Sequence, residues 1–420
     1  MRIIILESKK AIASPIIFGL LLLFLAWNVF YIIDNNEVPE ELGVVNKIVN
    51  TYGTEITEDS LKELNQEIVK DLEGLNAITQ KKSGESYEHA GELFSDLNNG
   101  EQPFYTDEEL QFFNTIYLEE LYLNRAQSMD QAYSKFNIKK MGEKQINGFQ
   151  LSGDAANMVK NGFEAFESRF EELKENGEYN EWFFEGKQFA MHGLLFKKVF
   201  RHIIIESMIL VVLSTALITN FEFENGTGLV TFTTRRGRRL MIDKLKASLM
   251  ASSLITLLLL SVTLGAYFIK FDYSQLWYSS INSGFNWETQ FPYVSWWDFS
   301  FIIYLTLAVI VSYTCMLLFT VLTFNLSIML KNSYFTIIAF SVFFISMIIL
   351  QGFVPGSSVF KVLAGFNLSI LVLNPHQWWM ATGGLTMFKY YEVQTLIVWA
   401  VVLAISCYGS MKKIMKEEIT

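Results

Sequence analysis

Six runs of roughly 20 apolar residues constrain this chain more than any other feature. Each is long enough to cross about 30 Å of hydrocarbon at about 1.5 Å per residue. A backbone inside a bilayer must satisfy its own hydrogen bonds, so runs of this kind fold as helices. They fall at about 15–33, 203–221, 247–269, 301–328, 334–353 and 394–410. Over 420 residues the chain is 51% hydrophobic, more apolar material than one soluble core of this size requires. The first run lacks a small-residue cleavage site and carries Trp27 and Tyr31 near its end, so it reads as a retained anchor.

The net charge of −10 averages two unlike parts. Residues 34–193 hold about 32 acids against about 14 bases, and the remainder carries a surplus of about eight positive charges. That split predicts an acidic, water-exposed domain and basic segments facing another compartment. Arg2, Lys9 and Lys10 precede the first run, and basic residues recur at 235–246, at Lys331 and at Lys412, Lys413 and Lys416. The positive-inside rule places all of these, and both termini, in the cytoplasm. Lys197, Lys198 and Arg201 fall on the other side, beside a long translocated domain, where the rule is weak. Residues 1–10 mix apolar and basic positions and suit a helix lying in the membrane interface.

Residues 34–193 are expected to be mostly helical. Ser60 and Glu63 have capping-box spacing, and Leu61, Leu64, Ile68, Leu72 and Leu75 then recur at three and four residues. Met158, Phe163, Phe166 and Phe170 form a second stripe, and a third helical stretch covers about 107–141. Some 160 residues with several such stripes can bury a core of their own. At helical spacing the aromatic stripes read first as that core and only second as a ligand site. Both cysteines, Cys315 and Cys407, lie in apolar runs, which excludes a disulfide framework outside the membrane.

A loop rich in Trp and Tyr follows the third run (Tyr273, Trp277, Tyr278, Trp287, Trp296, Trp297), as in an aromatic belt at the outer interface. Residues 354–393 hold Pro355, Gly365, Pro375, Gly383 and Gly384, too many breakers for one span. Short helices that dip in from the outer side are expected there. The fold class is therefore an all-α integral membrane protein. It has an interfacial helix and first span in 1–33, a helical extracellular domain in 34–193, and five further spans in 194–420.

The segment 222–246 is short, basic, and joined directly to two spans, so it can turn a push from a cytoplasmic partner into tilting of those spans. The chain has no G-x-x-x-x-G-K-[ST] loop, hence no phosphate cradle of its own. Glu224, Gly228, Thr234, Gly237, Arg238 and Lys244, with Arg235 and Arg236 between them, resemble the first cytoplasmic loop of ABC-2 type permeases. That loop reads Glu, Gly, T-P-x-S-R and then a Lys. Arg235 stands in place of the usual Pro and Gly237 in place of the usual Ser. Asn374-Pro375 before the last span is similar to a further feature of that family.

The resemblance implies the permease subunit of an exporter, itself not an enzyme. It further implies separate ABC ATPase subunits that bind ATP and Mg, a second permease copy or a similar permease, contact with lipid, and no nucleic acid. This chain would then hold no cofactor and sit in the bacterial plasma membrane. Spans with few charges suit an amphipathic or lipid-soluble cargo such as a peptide, antibiotic or lipid. The plainer reading of the loop is an anchor on anionic lipid. A membrane sensor whose exterior domain binds a ligand, and an ABC-driven sodium exporter, are the alternative functions.

Glu206 is an intramembrane carboxyl with His202 four residues earlier on the same face; the two form a cation or proton site on a substrate path, or Glu206 snorkels to the interface or pairs with Arg201 or His202. His376, Trp378 and Trp379 are further candidates for a substrate path, or else interface anchors. No metal-ligand spacing and no nucleophile–base set is present in the sequence.

Overall fold

A computed structural model describes residues 2–35, 38–99, 105–184, 192–228, 230, 237–288 and 291–416. Six helices are long and apolar enough to cross a membrane: Pro15–Asp34, Gly193–Glu224, Leu240–Lys270, Phe301–Leu330, Ser333–Phe353 and Tyr391–Lys416. The second, third and fourth run to 32, 31 and 30 residues, about 45 Å each, and so overhang the hydrocarbon at their ends. The second span gains its extra length from a π-helical start, Gly193–Val199, that continues without a break into Phe200–Glu224. Spans two, three and four pack against one another, while spans one, five and six bare apolar faces with Ile16, Leu23, Ile345, Phe353, Ile397 and Ile405 exposed.

A short helix, Arg2–Ile12, precedes the first span and lies against spans two and three. Its Ser8 hydroxyl donates to the Ala247 carbonyl at 3.0 Å, while Ile5 and Leu6 stay exposed. One face thus seats on protein and the other is free for lipid.

Between spans one and two stand the helices Val38–Tyr52, Glu58–Lys82, Ala90–Asn99, Asp107–Lys135, Ile138–Gly148 and Gly153–Asn176. The capping box lies one turn earlier than the sequence spacing predicts: Thr57 is the N-cap and Ser60 the reciprocal partner, so Glu63 is not part of it. A hydroxyl at the third helical position serves because it reaches back to the Thr57 amide at 2.9 Å. The stretch expected as one helix over 107–141 is two, broken at Phe136 and Asn137; the Asn137 side chain caps the second. Leu64, Ile68 and Leu75, and Phe163, Phe166 and Phe170, are buried, so both stripes are core.

The Trp- and Tyr-rich loop departs from an interfacial belt. Tyr273 and Trp296 are buried, Trp287 lies 5.4 Å from Tyr133 of the inserted domain, and only Tyr278, at 81%, is strongly exposed. The loop carries a two-residue antiparallel pair, Trp287–Glu288 with Phe291–Pro292. Aromatic surface that lipid headgroups would otherwise share is covered by the domain above it, and close packing wins.

Residues 354–390 form short helices, Phe360–Leu363 and Leu368–Leu373, and two 3₁₀ turns. Side chains take up the carbonyls these breaks release. Trp378 Nε1 donates to Leu371 O at 2.9 Å, Tyr391 OH to Gly365 O at 2.8 Å, Trp399 Nε1 to Phe366 O at 3.1 Å, and Arg201 Nη2 to Leu373 O at 3.3 Å. Broken backbone at this depth persists only where protein satisfies it. The Arg201 contact also gives one member of the discordant basic cluster a protein partner.

Candidate functional site at the basic elbow

On the side opposite the inserted domain, span two ends and span three begins around an ion pair. Lys244 is fully buried and its ammonium contacts the Glu222 carboxylate while donating to the carbonyls of Ile218 and Thr219, the latter at 3.2 Å. Those carbonyls sit in the last two turns of a helix, where the dipole is negative and a cation is favoured. A buried charge is tolerable only with this degree of pairing. Glu222 escaped the sequence reading, although a Lys inside an apolar helix signals that a buried acid must lie nearby.

Glu224 is exposed but bridges to span five. Its Oε1 accepts from the Ser333 amide at 2.6 Å, which caps span five, and the Ser333 hydroxyl donates back to Ala216 O at 3.1 Å. Asn220 Nδ2 donates to Thr336 Oγ1 at 3.4 Å one turn on. Lys10 of the interfacial helix pairs with Glu7 at 2.8 Å and stands 4.5 Å from the Phe221 ring centre. Residues on spans two, three and five and on the interfacial helix are thereby locked around one corner.

Span two closes with Gly226 at φ +66, and Thr227 N returns to Glu222 O at 3.0 Å; Gly228 follows directly. Gly237 has φ +46 and opens the 3₁₀ turn Gly237–Arg239 that leads into span three. A β-carbon is strained at that φ, a local reason for Gly where the resembled family has Ser. Thr234, Arg235 and Arg236, and the Arg238 side chain, lie outside the described residues.

Glu206 is buried at 6% exposure and accepts from Asn28 Nδ2 at 2.7 Å, not from His202 or Arg201. The same amide nitrogen reaches Thr263 Oγ1 at 3.1 Å, so spans one, two and three each contribute one polar group. His202 instead lies edge-on to Tyr31, ring centres 5.0 Å apart.

His376, Trp378 and Trp379 are all buried on the domain side. The His376 carbonyl is 2.7 Å from His192 Nε2, and the Trp379 amide donates to Glu392 Oε1 at 2.6 Å. Trp379 has φ +64, and its carbonyl accepts from Trp296 N at 3.2 Å and from Ser295 Oγ at 3.1 Å. Glu392, in the first turn of span six, therefore organises this strained turn. Nothing in its sequence context sets it apart from a surface acid at a helix start.

A second polar junction joins the inserted domain to the loop below it. Arg169 and Glu178 form a buried two-pronged pair, and Asn282 Nδ2 donates to Glu178 Oε2 at 2.7 Å. Burial pushes the Glu181 carboxyl up to about 7, against the pull of the Ser280 amide at 2.6 Å; Asp298, Glu55 and Glu178 add to the rise. Among the described residues, no group of three His, Cys, Asp or Glu is placed to hold a metal ion.

The fold defines an all-α, multi-pass membrane protein with a helical domain inserted between its first two spans. Comparisons with protein families, with curated proteins and with solved structures find no match for this chain.

Proposed function

We propose that this chain is the membrane-spanning subunit of an ATP-driven exporter, and that energy enters through the elbow at 222–246. The observation that carries the reading is the clamp of Glu222–Lys244 and Glu224–Ser333 around that elbow. A force applied to the loop between Thr227 and Gly237 reaches spans two, three and five as one body, because the joint is ion-paired at Glu222–Lys244 and capped at Glu224–Ser333. The loop is the face offered to ABC ATPase subunits, which bind ATP and Mg. The bare apolar sides of spans one, five and six face lipid and a second permease copy.

Basic residues at the N-terminus, the elbow, Lys331 and Lys412–Lys416 support a reading in which this side faces the cytoplasm of a bacterial cell and residues 34–193 lie outside. Spans two, three and four bury hydroxyls and amides and few charges, which suits an amphipathic or lipid-soluble cargo better than a strongly charged one. The experiment is co-purification from native membrane. A nucleotide-binding subunit is expected with the intact chain and is lost when Arg235 and Arg236 are both changed to Ala, with thermal stability unchanged. Recovery of the chain without any ATPase sinks the reading.

A sensor remains the second reading because the inserted domain has a cleft of about 380 Å³ between the helices Val38–Tyr52 and Asp107–Lys135, lined by Glu40, Lys47, Gln111, Asn114 and Leu118. Filling it through Gly43→Trp should abolish signalling in a sensor and leave ATPase coupling untouched in an exporter.

A further inference from the structure

We infer that Glu206, with Asn28 and Thr263, is a proton-binding site inside the membrane, supplied from the elbow side through a file of hydroxyls between spans two and three. The position comes first. Asn28 lies six residues, and Thr263 seven, from the domain-side ends of their helices, about 10 Å in, well within the apolar lengths of spans one and three. Glu206 is buried there, and its hydrogen-bonding partner is a neutral amide.

No charged side chain faces Glu206 among the described residues. On its own helix Arg201 reaches Leu373 O, and His202 packs on Tyr31 of span one. Spans four and five, which also pack on span two, contain no Asp, Glu, Lys, Arg or His; their titratable groups are Tyr304, Tyr313, Cys315 and Tyr334. An isolated carboxylate in such a place is costly, and the cost is removed by one positive charge.

The partner's chemistry selects the proton. Asn28 presents its NH₂ to Glu206, which repels a metal cation at that oxygen. Its Oδ1 is buried without a partner, on a side chain 2% exposed. Turned over, the same amide accepts a hydrogen bond from a protonated Glu206. The amide therefore serves the carboxylate as donor and the carboxylic acid as acceptor, so the Glu206–Asn28 hydrogen bond survives gain and loss of a proton. No electrons move: one O–H bond forms on Glu206 as water or hydronium at the file gives up its proton.

The file is the second observation. Lys244, Ser248, Ser252 and Thr256 recur every four residues on span three and share one face. Lys244 sets that face on span two at one end, and at the other Thr263 shares Asn28 of span one with Glu206; along span two, Ser207 and Thr215 lie between these ends. The hydroxyl oxygens of Ser207, Thr215, Ser248, Ser252 and Thr256 are buried and have no partner. Most buried helical hydroxyls elsewhere in the spans bond back to the carbonyl four residues earlier, as Thr219, Ser312, Thr320 and Thr323 do at 2.8 to 2.9 Å, while Ser327 of span four is an isolated exception. Five in one seam that do not are groups for water to join into a relay.

The test is infrared difference spectroscopy on the full chain in lipid vesicles, titrated with pH. A carboxylic-acid carbonyl band should grow as pH falls, vanish in Glu206→Gln, and titrate at higher pH in Asn28→Leu. It should shift on transfer to deuterium oxide, several-fold more slowly in the double variant Ser252→Val, Thr256→Val. Absence of the band, its survival in Glu206→Gln, or a band that follows sodium or potassium at fixed pH overturns the site. An unchanged exchange rate in the double variant overturns the relay. The readout needs no partner subunit, so it stands or falls separately from the exporter reading.

Discussion

At the scale of single residues, the buried ion pair makes the sharpest prediction. Lys244→Met leaves Glu222 buried without a counter-ion and should cost about 3–5 kcal/mol, read as a large drop in the thermal midpoint in detergent. Changing Glu222 and Lys244 together to Met should recover most of that loss, because the desolvation of both charges disappears with them. Glu181 sets a pH dependence at the domain junction. Its folded pKa is raised above the ordinary carboxylate value, so its contribution to docking is fully present below about pH 4.5 and is lost as pH rises through about 7. Protection of the Ser280–Ser283 amides, after correction for the intrinsic base-catalysed rise in exchange, should fall between pH 5 and 8, and Glu181→Gln should flatten that fall. The loop candidates Glu224 and Lys244 were visible in the sequence as an ordered pattern of charges. That Lys244 is buried and that Glu224 caps span five was not visible, because both depend on where spans two, three and five meet.

At the scale of elements, caps and breaks decide how the spans are held. Glu224 caps span five alongside Asn332, whose side chain accepts from Phe335 N at 3.0 Å. Glu224→Ala should cost about 1 kcal/mol of stability, measured by thermal melting. A loss of ATPase coupling with no loss of stability would instead assign Glu224 to the partner surface. Gly356 shows how tightly the broken segment is seated. A β-carbon there would meet the backbone of Gln150, and Gly356 O accepts from Ser152 N at 3.0 Å. Backbone cannot swing aside as a side chain does, so Gly356→Ala should destabilise the junction by about 1–3 kcal/mol and speed proteolysis near residue 150. The breakers between 354 and 393 coincide with the short helices Phe360–Leu363 and Leu368–Leu373. Their seating on the inserted domain followed from no local signal.

At the scale of the whole molecule, the inserted domain is part of the architecture rather than an appendage. Gly284 N bonds to Tyr179 O at 2.9 Å, Ser152 N to Gly356 O at 3.0 Å, and Arg169 Nε to Ser295 O at 3.1 Å. One hydrophobic core runs from Phe166 and Trp182 through Phe285 and Trp296 into the spans. Removing 34–192 should therefore lower the thermal midpoint of the remaining spans and favour aggregation, seen by size-exclusion chromatography in detergent. A folded, monodisperse six-span remainder would contradict this. The sequence alone determined the number of spans and the helical insertion, because length and periodicity are local sums that neighbours cannot cancel. Only tertiary structure decided that Glu206 meets Asn28, that Lys244 meets Glu222, and that the aromatic loop is core, because each depends on which helices lie side by side, and contact between residues hundreds of positions apart has no local signature.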